Sequence, residues 1–379
     1  MRTGTDHPSG PLVLTLDAGG TNWNFAAIQD GKVVGVPIYL PAEPADLTRA
    51  LAQMVRGFQS LIDQFSHKPV AISFAFPGPA DYRRGVIGKL PNLPAFQGSV
   101  ALGPYLRDHF KLPVWINNDG DLFALGEATY GILPWINKLL ASGEGRSGPF
   151  RHLIGITLGT GFGAGIVING KIFDGDTGIG GELWQLRNVL NPLEGVEETL
   201  SIRGVRRLYG ELLGRKPALS PQPAEIAVLA TALEASAERE AARAAWRHFG
   251  KVLGETLANL LAMLNCNLVL GGGLSGAYPL FIEAVIEEME GTFYRPWEGR
   301  ETPRLVAQVL DLEKEAGQQG FQAQVVKSCV VPQSKREVPY RSRHVLGIAK
   351  TRLGTSEAVF SGAYEYALDA LGLRNSRSG

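Results

Sequence analysis

Apolar residues along the chain fall into short runs that end in glycine-rich turns and alternate with helical stripes. LVLTLD (12–17) has the length of a buried strand, and WNFAAIQ (23–29) and KVVGVPIYL (32–40) predict two more. Asp30-Gly31 joins the latter two and is a hairpin signal, since the favoured two-residue turn needs positive φ at both central positions. Leu47, Leu51, Met54, Val55, Phe58, Leu61 and Ile62 share one face of a helix predicted over about 46–65. PVAISFAF (69–76) predicts a strand stopped by Pro77-Gly78-Pro79. A helix over about 99–110 leads to the strand PVWINN (113–118), and another helix comes next over about 121–130.

PWINKLLASGEGRSGPF (134–150) then reads as an inserted loop or domain junction, after which the pattern restarts. HLIGITLGTGFGAGIVINGKIFDG (152–175) is again strand, glycine-rich turn, strand, tight turn, strand, with Asn169-Gly170-Lys171 where the first half has Asp30-Gly31-Lys32. Two unrelated glycine-turn hairpins are the alternative to a true repeat. The repeat predicts an α/β fold of two related domains, each opening on a hairpin and facing the other across a cleft. Residues 1–11 are expected to be a disordered tail, 12–119 an N-terminal α/β domain completed by a closing helix over about 357–371, and 120–356 a C-terminal α/β domain. Insertions are expected near 133–150 and 296–345. Residues 224–262 read as helical, with Trp246 as core, LVLGGGLSG (268–276) as a strand and turn, and 278–290 as a helix; 296–345 shows no clear period.

Composition narrows the class. The chain of 379 residues carries 37 basic and 37 acidic side chains, so bulk charge points to neither nucleic acid nor an anionic membrane. Cys266 and Cys329 are its two cysteines, which excludes a disulfide scaffold and a zinc site of three or four thiolates and fits a reducing cytosol. The six histidines do not pair at metal-ligand spacing. A polar N-terminus and the lack of any run of about 18 apolar residues lead us to expect a cytoplasmic enzyme without a membrane span.

Three glycine-rich turns come after apolar strands: DAGGTN, LGTGFG and LGGGLSG. Each offers backbone N–H groups without a Cβ in the way, as phosphate oxygens require. None fits a P-loop or the dinucleotide fingerprint, because the residues after Gly20 and Gly163 read as strand. Asp17 beside the first turn suits a hydrated Mg²⁺, which takes one or two protein carboxylates and keeps its other waters; capping the turn is its alternative role. Gly159 stands where Asp17 would be in the second turn, so the metal is expected at the first turn alone. WINNDGD ends a strand before a helix, where α/β proteins bind ligands. A carboxylate there can accept a hydroxyl proton during phosphoryl transfer. Asp119 and Asp121 compete for that role, with helix capping as the alternative for either.

DAGGTN, FAFPGP (74–79), PNLP (91–94), NNDGDLFALGE (117–127), LGTGFGAG and LGGG occur in the order of the ROK sugar kinases, and the chain resembles that family over roughly 12–290 plus the closing helix. The resemblance implies two ribonuclease H-like, actin-like ATPase domains. It also implies ATP-dependent phosphorylation of a hexose or hexose derivative at a primary hydroxyl, as in glucokinases, fructokinases or amino-sugar kinases. Asp119 resembles the catalytic base. Gly78, Asn92, Asn118, Asp119, Glu182, Gln185 and Glu197 fall at sugar-facing positions, with Glu198 as the alternative to Glu197. Asp17, Gly19, Gly20, Thr21, Asn22, Thr160 and Gly161 fall at phosphate positions, and Gly271 and Gly272 on the adenosine side. Asp17 would hold Mg²⁺ through water.

The family's Glu-x-Gly-His and its cysteine cluster, which bind structural zinc, are replaced. Gln185 stands in for the histidine, and 186–196 reads LRNVLNPLEGV. No structural zinc is expected, and Trp184, Leu186, Leu190 and Leu193 are expected to hold that loop by packing. The arginines of SIRGVRRLYG read either as exposed ion pairs or as a patch for an anionic sugar. The partners implied are a sugar and ATP, with no nucleic acid and no membrane, and a homodimer as the family's usual form. The alternative is a non-catalytic sugar- or nucleotide-binding or regulatory ROK protein. ROK repressors carry an N-terminal helix-turn-helix, whereas the first strand here begins near residue 12.

Overall fold

The computed structural model describes residues 10–19, 22–90, 93–141, 149–323 and 326–374. In chain order the elements are β1 (Val13–Ala18), β2 (Asn22–Gln29), β3 (Lys32–Pro41), α1 (Leu47–Ile62), β4 (Ala71–Ala75), β5 (Ala80–Asp81), β6 (Val86–Lys89), β7 (Gln97–Val100), α2 (Leu102–Phe110), β8 (Val114–Asn117), α3 (Asp119–Thr129) and α4 (Ile132–Ala141). They continue with β9 (Leu153–Leu158), β10 (Phe162–Ile168), β11 (Lys171–Ile172), α5 (Ile202–Leu212), α6 (Pro223–Ala230), α7 (Ala237–Leu264), β12 (Asn267–Gly271) and α8 (Tyr278–Met289). The last are β13 (Thr292–Arg295), β14 (Arg300–Pro303), β15 (Gln308–Asp311), α9 (Glu315–Gln322), β16 (Val326–Val330), β17 (Glu337–Arg341), β18 (Val345–Lys350) and α10 (Thr355–Ala370).

Two compact units result, one of Met1–Gly131, Gly165–Gly181 and Leu353–Gly379, the other of Ile132–Ala164 and Glu182–Arg352. In the first, the strand order is β3-β2-β1-β4-β8, with β1, β2 and β3 antiparallel and β1, β4 and β8 parallel. Alternation along β1 and β4 builds two cores. Leu14, Leu16, Ile72 and Phe74 face α1 and α2, where Trp23, Phe25, Phe58 and Phe76 pack edge to face. Val13, Ala26, Ile28 and Ala71 face Phe360, Tyr364, Ala367 and Leu368 of α10. The first unit extends past Asp119, the expected boundary, because α3 packs on α10 through glycines. A Cβ at Gly126 would overlap Ala358 O, and one at Gly362 would overlap Leu122 O.

The second ladder repeats the first, with strand order β11-β10-β9-β12-β18 and β15 added beyond β18. Within it β9, β12, β18 and β15 run parallel. Both hairpin turns take the conformation their sequences require: φ is 52° and 75° at Asp30 and Gly31, and 53° and 75° at Asn169 and Gly170. Trp246 and Phe249 of α7 pack against Phe281 of α8 in the second unit's core.

The segment 134–150, expected as an inserted loop or a domain junction, begins inside α4, whose Ile132, Leu133, Ile136 and Leu140 are buried and whose first residue opens the second unit. Pro134 sits in its first turn, where the missing N–H has no helical partner to lose. Residues 142–148 lie outside the described residues. The segment 296–345, which shows no clear period, supplies the edge strand β15, the hairpin β16–β17, and α9, whose Phe321 is buried.

Candidate active site

In the first unit, backbone pairing lines up three strand ends. Asp17 of β1 lies opposite Ala75 of β4, which lies opposite Asn117 of β8. Neighbouring strands lie about 4.8 Å apart, so the backbones at Asp17 and Asn117 are about 10 Å apart. Phe76 N–H donates to Asn117 O at 3.0 Å and ties the loop carrying the exposed Gly78 to the loop carrying Asn118. Asn118 caps α3, its Oδ1 accepting from Gly120 N–H at 2.7 Å, and Asp119 Oδ1 accepts from the same group at 2.9 Å. Asp119 is exposed at the first position of α3, where the helix dipole favours a carboxylate. Asp17 is half-buried, and its Oδ2 accepts from Ser356 Oγ at 3.0 Å. Gly19 and Asn22 flank the first turn and are exposed. Gly20, Thr21 and Asn92 lie outside the described residues.

In the second unit, Gly159 N–H donates to Gly161 O at 3.0 Å and closes the glycine-rich turn, on which Thr160 is exposed. Glu197 Oε2 accepts from Phe162 N–H at 2.9 Å, at the end of this turn. Arg203 Nη2 donates to Glu197 Oε1 and Glu198 Oε1, each at 2.7 Å. That contact holds the Glu198 carboxyl below the usual range and raises the Arg203 guanidinium above its own. Arg206 donates to the carbonyls of Ala218 and Ser220, and Arg207 makes a fork with Glu194 at 2.7 Å on both arms. These arginines are thus occupied within the unit. A Cβ at Gly159, Gly273 or Gly276 would meet nothing within 4 Å, so the space before both turns is open. Gly271 ends β12 and is buried; Gly272 has φ of 82°, and a Cβ there would overlap the Leu158 backbone. Its glycine lets the end of β12 pass close to β9. Open turns with backbone donors, and a carboxylate at Asp17, are the chemistry that a polyphosphate and a hydrated divalent cation need.

Glu182 Oε2 accepts from Trp184 Nε1, and Gln185 is exposed on the short turn Leu183–Gln185. Val196 N–H donates to Leu186 O at 2.8 Å, which brings this turn beside Glu197. Packing by Trp184, Leu186, Leu190 and Leu193 does not hold the loop: all four are exposed, Leu193 at 97%. Polar groups hold it. Asn188 is 0% exposed, its Oδ1 accepts from Leu190 and Asn191 N–H, and its Nδ2 donates to Thr199 Oγ1 at 3.1 Å. Four of the loop's apolar positions have no apolar shell to enter, whereas one buried amide satisfies three partners. Asn188→Leu is expected to lower stability by about 2–4 kcal/mol and Leu193→Ser by less than about 0.5 kcal/mol, measured by urea unfolding.

The family model described as "ROK family" matches residues 13–327. The chain belongs to the ROK family. An N-acetyl-D-glucosamine kinase of Photobacterium profundum is 30% identical over 286 residues, covering 71% of this chain and 86% of that protein. A glucokinase structure from Parabacteroides distasonis is 42% identical, with a TM-score of 0.84 over 96% of this chain and 99% of that one. A ROK glucokinase from Streptomyces griseus, solved with glucose and AMPPNP, shares the fold at 18% identity, with a TM-score of 0.57 over 93% of this chain and 98% of that one.

Two contacts of this ROK chain carry no mark in the sequence: Ser356 orients Asp17, and Arg83 forks onto Asp174 Oδ2 at 2.9 Å and the carbonyls of Gly175 and Asp176 at 2.6 Å, apart from the residues named above. Their partners are far away in sequence, so no period or spacing marks them. Arg203, one of the arginines of SIRGVRRLYG, takes the ion-pair role through Glu197 and Glu198. Among the described residues, no cluster of three or more His, Cys, Asp or Glu side chains is arranged to hold a metal.

Proposed function

We propose that this ROK protein is a kinase that transfers the terminal phosphoryl group of ATP to a hydroxyl of a hexose or an amino sugar. The observation that carries the reading is the register of Asp17, Ala75 and Asn117, which sets one carboxylate of the phosphate turn and the start of α3 along one sheet edge. Asp119 would accept the proton of the attacking hydroxyl as the new P–O bond forms and ADP leaves. Asn118, Gly78, Asn92, Glu182, Gln185 and Glu197 would bind the sugar's hydroxyls. A site that hydrogen-bonds hydroxyls rejects analogues lacking them by leaving its own groups unpaired. Gly19, Gly20, Thr21, Asn22, Thr160 and Gly161 would receive phosphate oxygens, with Gly271 and Gly272 on the adenosine side. Magnesium, when bound, would offset phosphate charge, with Asp17 holding it through water and Ser356 fixing the carboxylate. The reading extends to a cytoplasmic homodimer. Among the described residues no helix is long and apolar enough to cross a membrane.

Its test is ADP release from the pure protein with Mg-ATP and a panel of glucose, N-acetylglucosamine, mannose, N-acetylmannosamine and fructose. At least one sugar is expected to raise ADP release about 100-fold or more over ATP alone. Sugar binding without stimulated turnover would instead favour a regulatory, non-catalytic protein, and no response to any sugar would exclude a kinase for this substrate class.

A further inference from the structure

A cavity of about 180 Å³ lies wholly within the first unit and contains none of Asp17, Gly78, Asn118 or Asp119. Its walls come from the end of β8, the first turns of α3, the β10–β11 hairpin and the second half of α10. Its volume has room for several waters, or for a small polar molecule such as a monosaccharide. Asn117 is among the residues that line it. That residue is 8% exposed, and its Nδ2 has no hydrogen-bond partner in the structure. A buried amide donor left in this way is open to a further acceptor, a water or a ligand.

The charges around the cavity say what kind of acceptor. Arg83 pairs with Asp174 at 2.9 Å, Lys171 with Asp369 at 3.5 Å, and Arg374 with Glu365 at 2.6 Å. Each cation is matched by a carboxylate, and Asp121 adds a further negative charge. Such a wall repels a phosphate or carboxylate ligand and offers alternating donors and acceptors to hydroxyls. Burial, with the charges of Asp174 and Asp121, raises the Tyr366 phenol, which therefore stays protonated as a donor.

We infer that this cavity is a second ligand site, separate from the proposed sugar site, for an uncharged polyhydroxylated molecule of monosaccharide size. It does not depend on the kinase reading, since the residues that build it are not those assigned to transfer. Asn117 and Asn118 are consecutive at a strand end, where successive side chains leave on opposite sides. One strand end thus serves both sites.

Isothermal titration of the full chain with glucose, mannose, N-acetylglucosamine and glucitol tests it, with inorganic phosphate as the charged comparison. At least one neutral compound is expected to bind with an equivalent that Ile172→Trp, which fills the cavity, and Asn117→Leu, which removes the amide, each weaken by about tenfold or more. Phosphate should not compete for that equivalent. Tyr366→Phe keeps the ring and is expected to weaken it by about threefold or more, which preserves the test if Ile172→Trp does not fold. The inference is overturned if every neutral equivalent survives these substitutions, if none binds beyond a site blocked by catalytic-site ligands, or if phosphate displaces the neutral compound. Loss of turnover with this equivalent intact would count against the kinase reading alone.

Discussion

Asp119→Asn is expected to lower kcat by about 10²–10⁴-fold while leaving sugar affinity nearly unchanged. Asparagine has the same shape and retains an acceptor for Gly120 N–H, so the start of α3 should stay in place. What it loses is the ability to take the hydroxyl proton. Steady-state ADP release and calorimetric sugar binding, measured on the same preparation, separate the two. Asp121→Asn is the matched comparison, because that side chain lines the separate cavity. It should cost less than about tenfold in kcat. If Asp121→Asn gave the larger loss, the base would be Asp121, and the assignment from motif order would be wrong.

Gly362→Ala is expected to destabilise the protein by about 3 kcal/mol or more, out of the roughly 5–15 kcal/mol that holds a domain folded. The added carbon would fall on Leu122 O of α3. Shrinking a neighbouring side chain cannot relieve the clash, because the obstacle is a backbone carbonyl. The same crossing buries Gly126 against Ala358 O, so the helices have no slack on either side. Because α3 begins at Asp119 and Ser356 in the first turn of α10 holds Asp17, a shift between these helices should also impair catalysis in the fraction that still folds. Urea midpoints, with kcat measured well below the transition, distinguish loss of folded protein from distortion of the site. Near-native stability in Gly362→Ala would mean that the two helices can separate at little cost.

The strands and turns that place Asp17, Asn118 and Asp119 were legible because each is a long apolar run ending in a glycine or asparagine signal. Both hairpins were legible for a sharper reason: Asp-Gly and Asn-Gly nearly demand the conformation found at residues 30–31 and 169–170. The strands β5, β6 and β7 escaped because two to four residues do not establish a period. The helix α4 was hidden by Pro134 and by the glycine-serine run after it. The loop 186–196 misled in a different way. Its leucines imitate a small core, yet the element that orders it is Asn188, a residue type more often found in turns on the surface. The resemblance favoured Glu197, with Glu198 as the alternative. In the folded unit they share Arg203, and Glu197 also reaches Phe162 N–H.

The alignment of Asp17, Ala75 and Asn117 has a consequence for how such a protein can change over evolutionary time. The interval between these positions is set by main-chain hydrogen bonding in the sheet, to which side-chain identity contributes little. Substitutions in the loops that choose the sugar can therefore accumulate without moving the strand ends that carry the carboxylate and the start of α3. Substrate preference is then free to drift among descendants of one gene, while the spacing between Asp17 and the start of α3 is inherited unchanged.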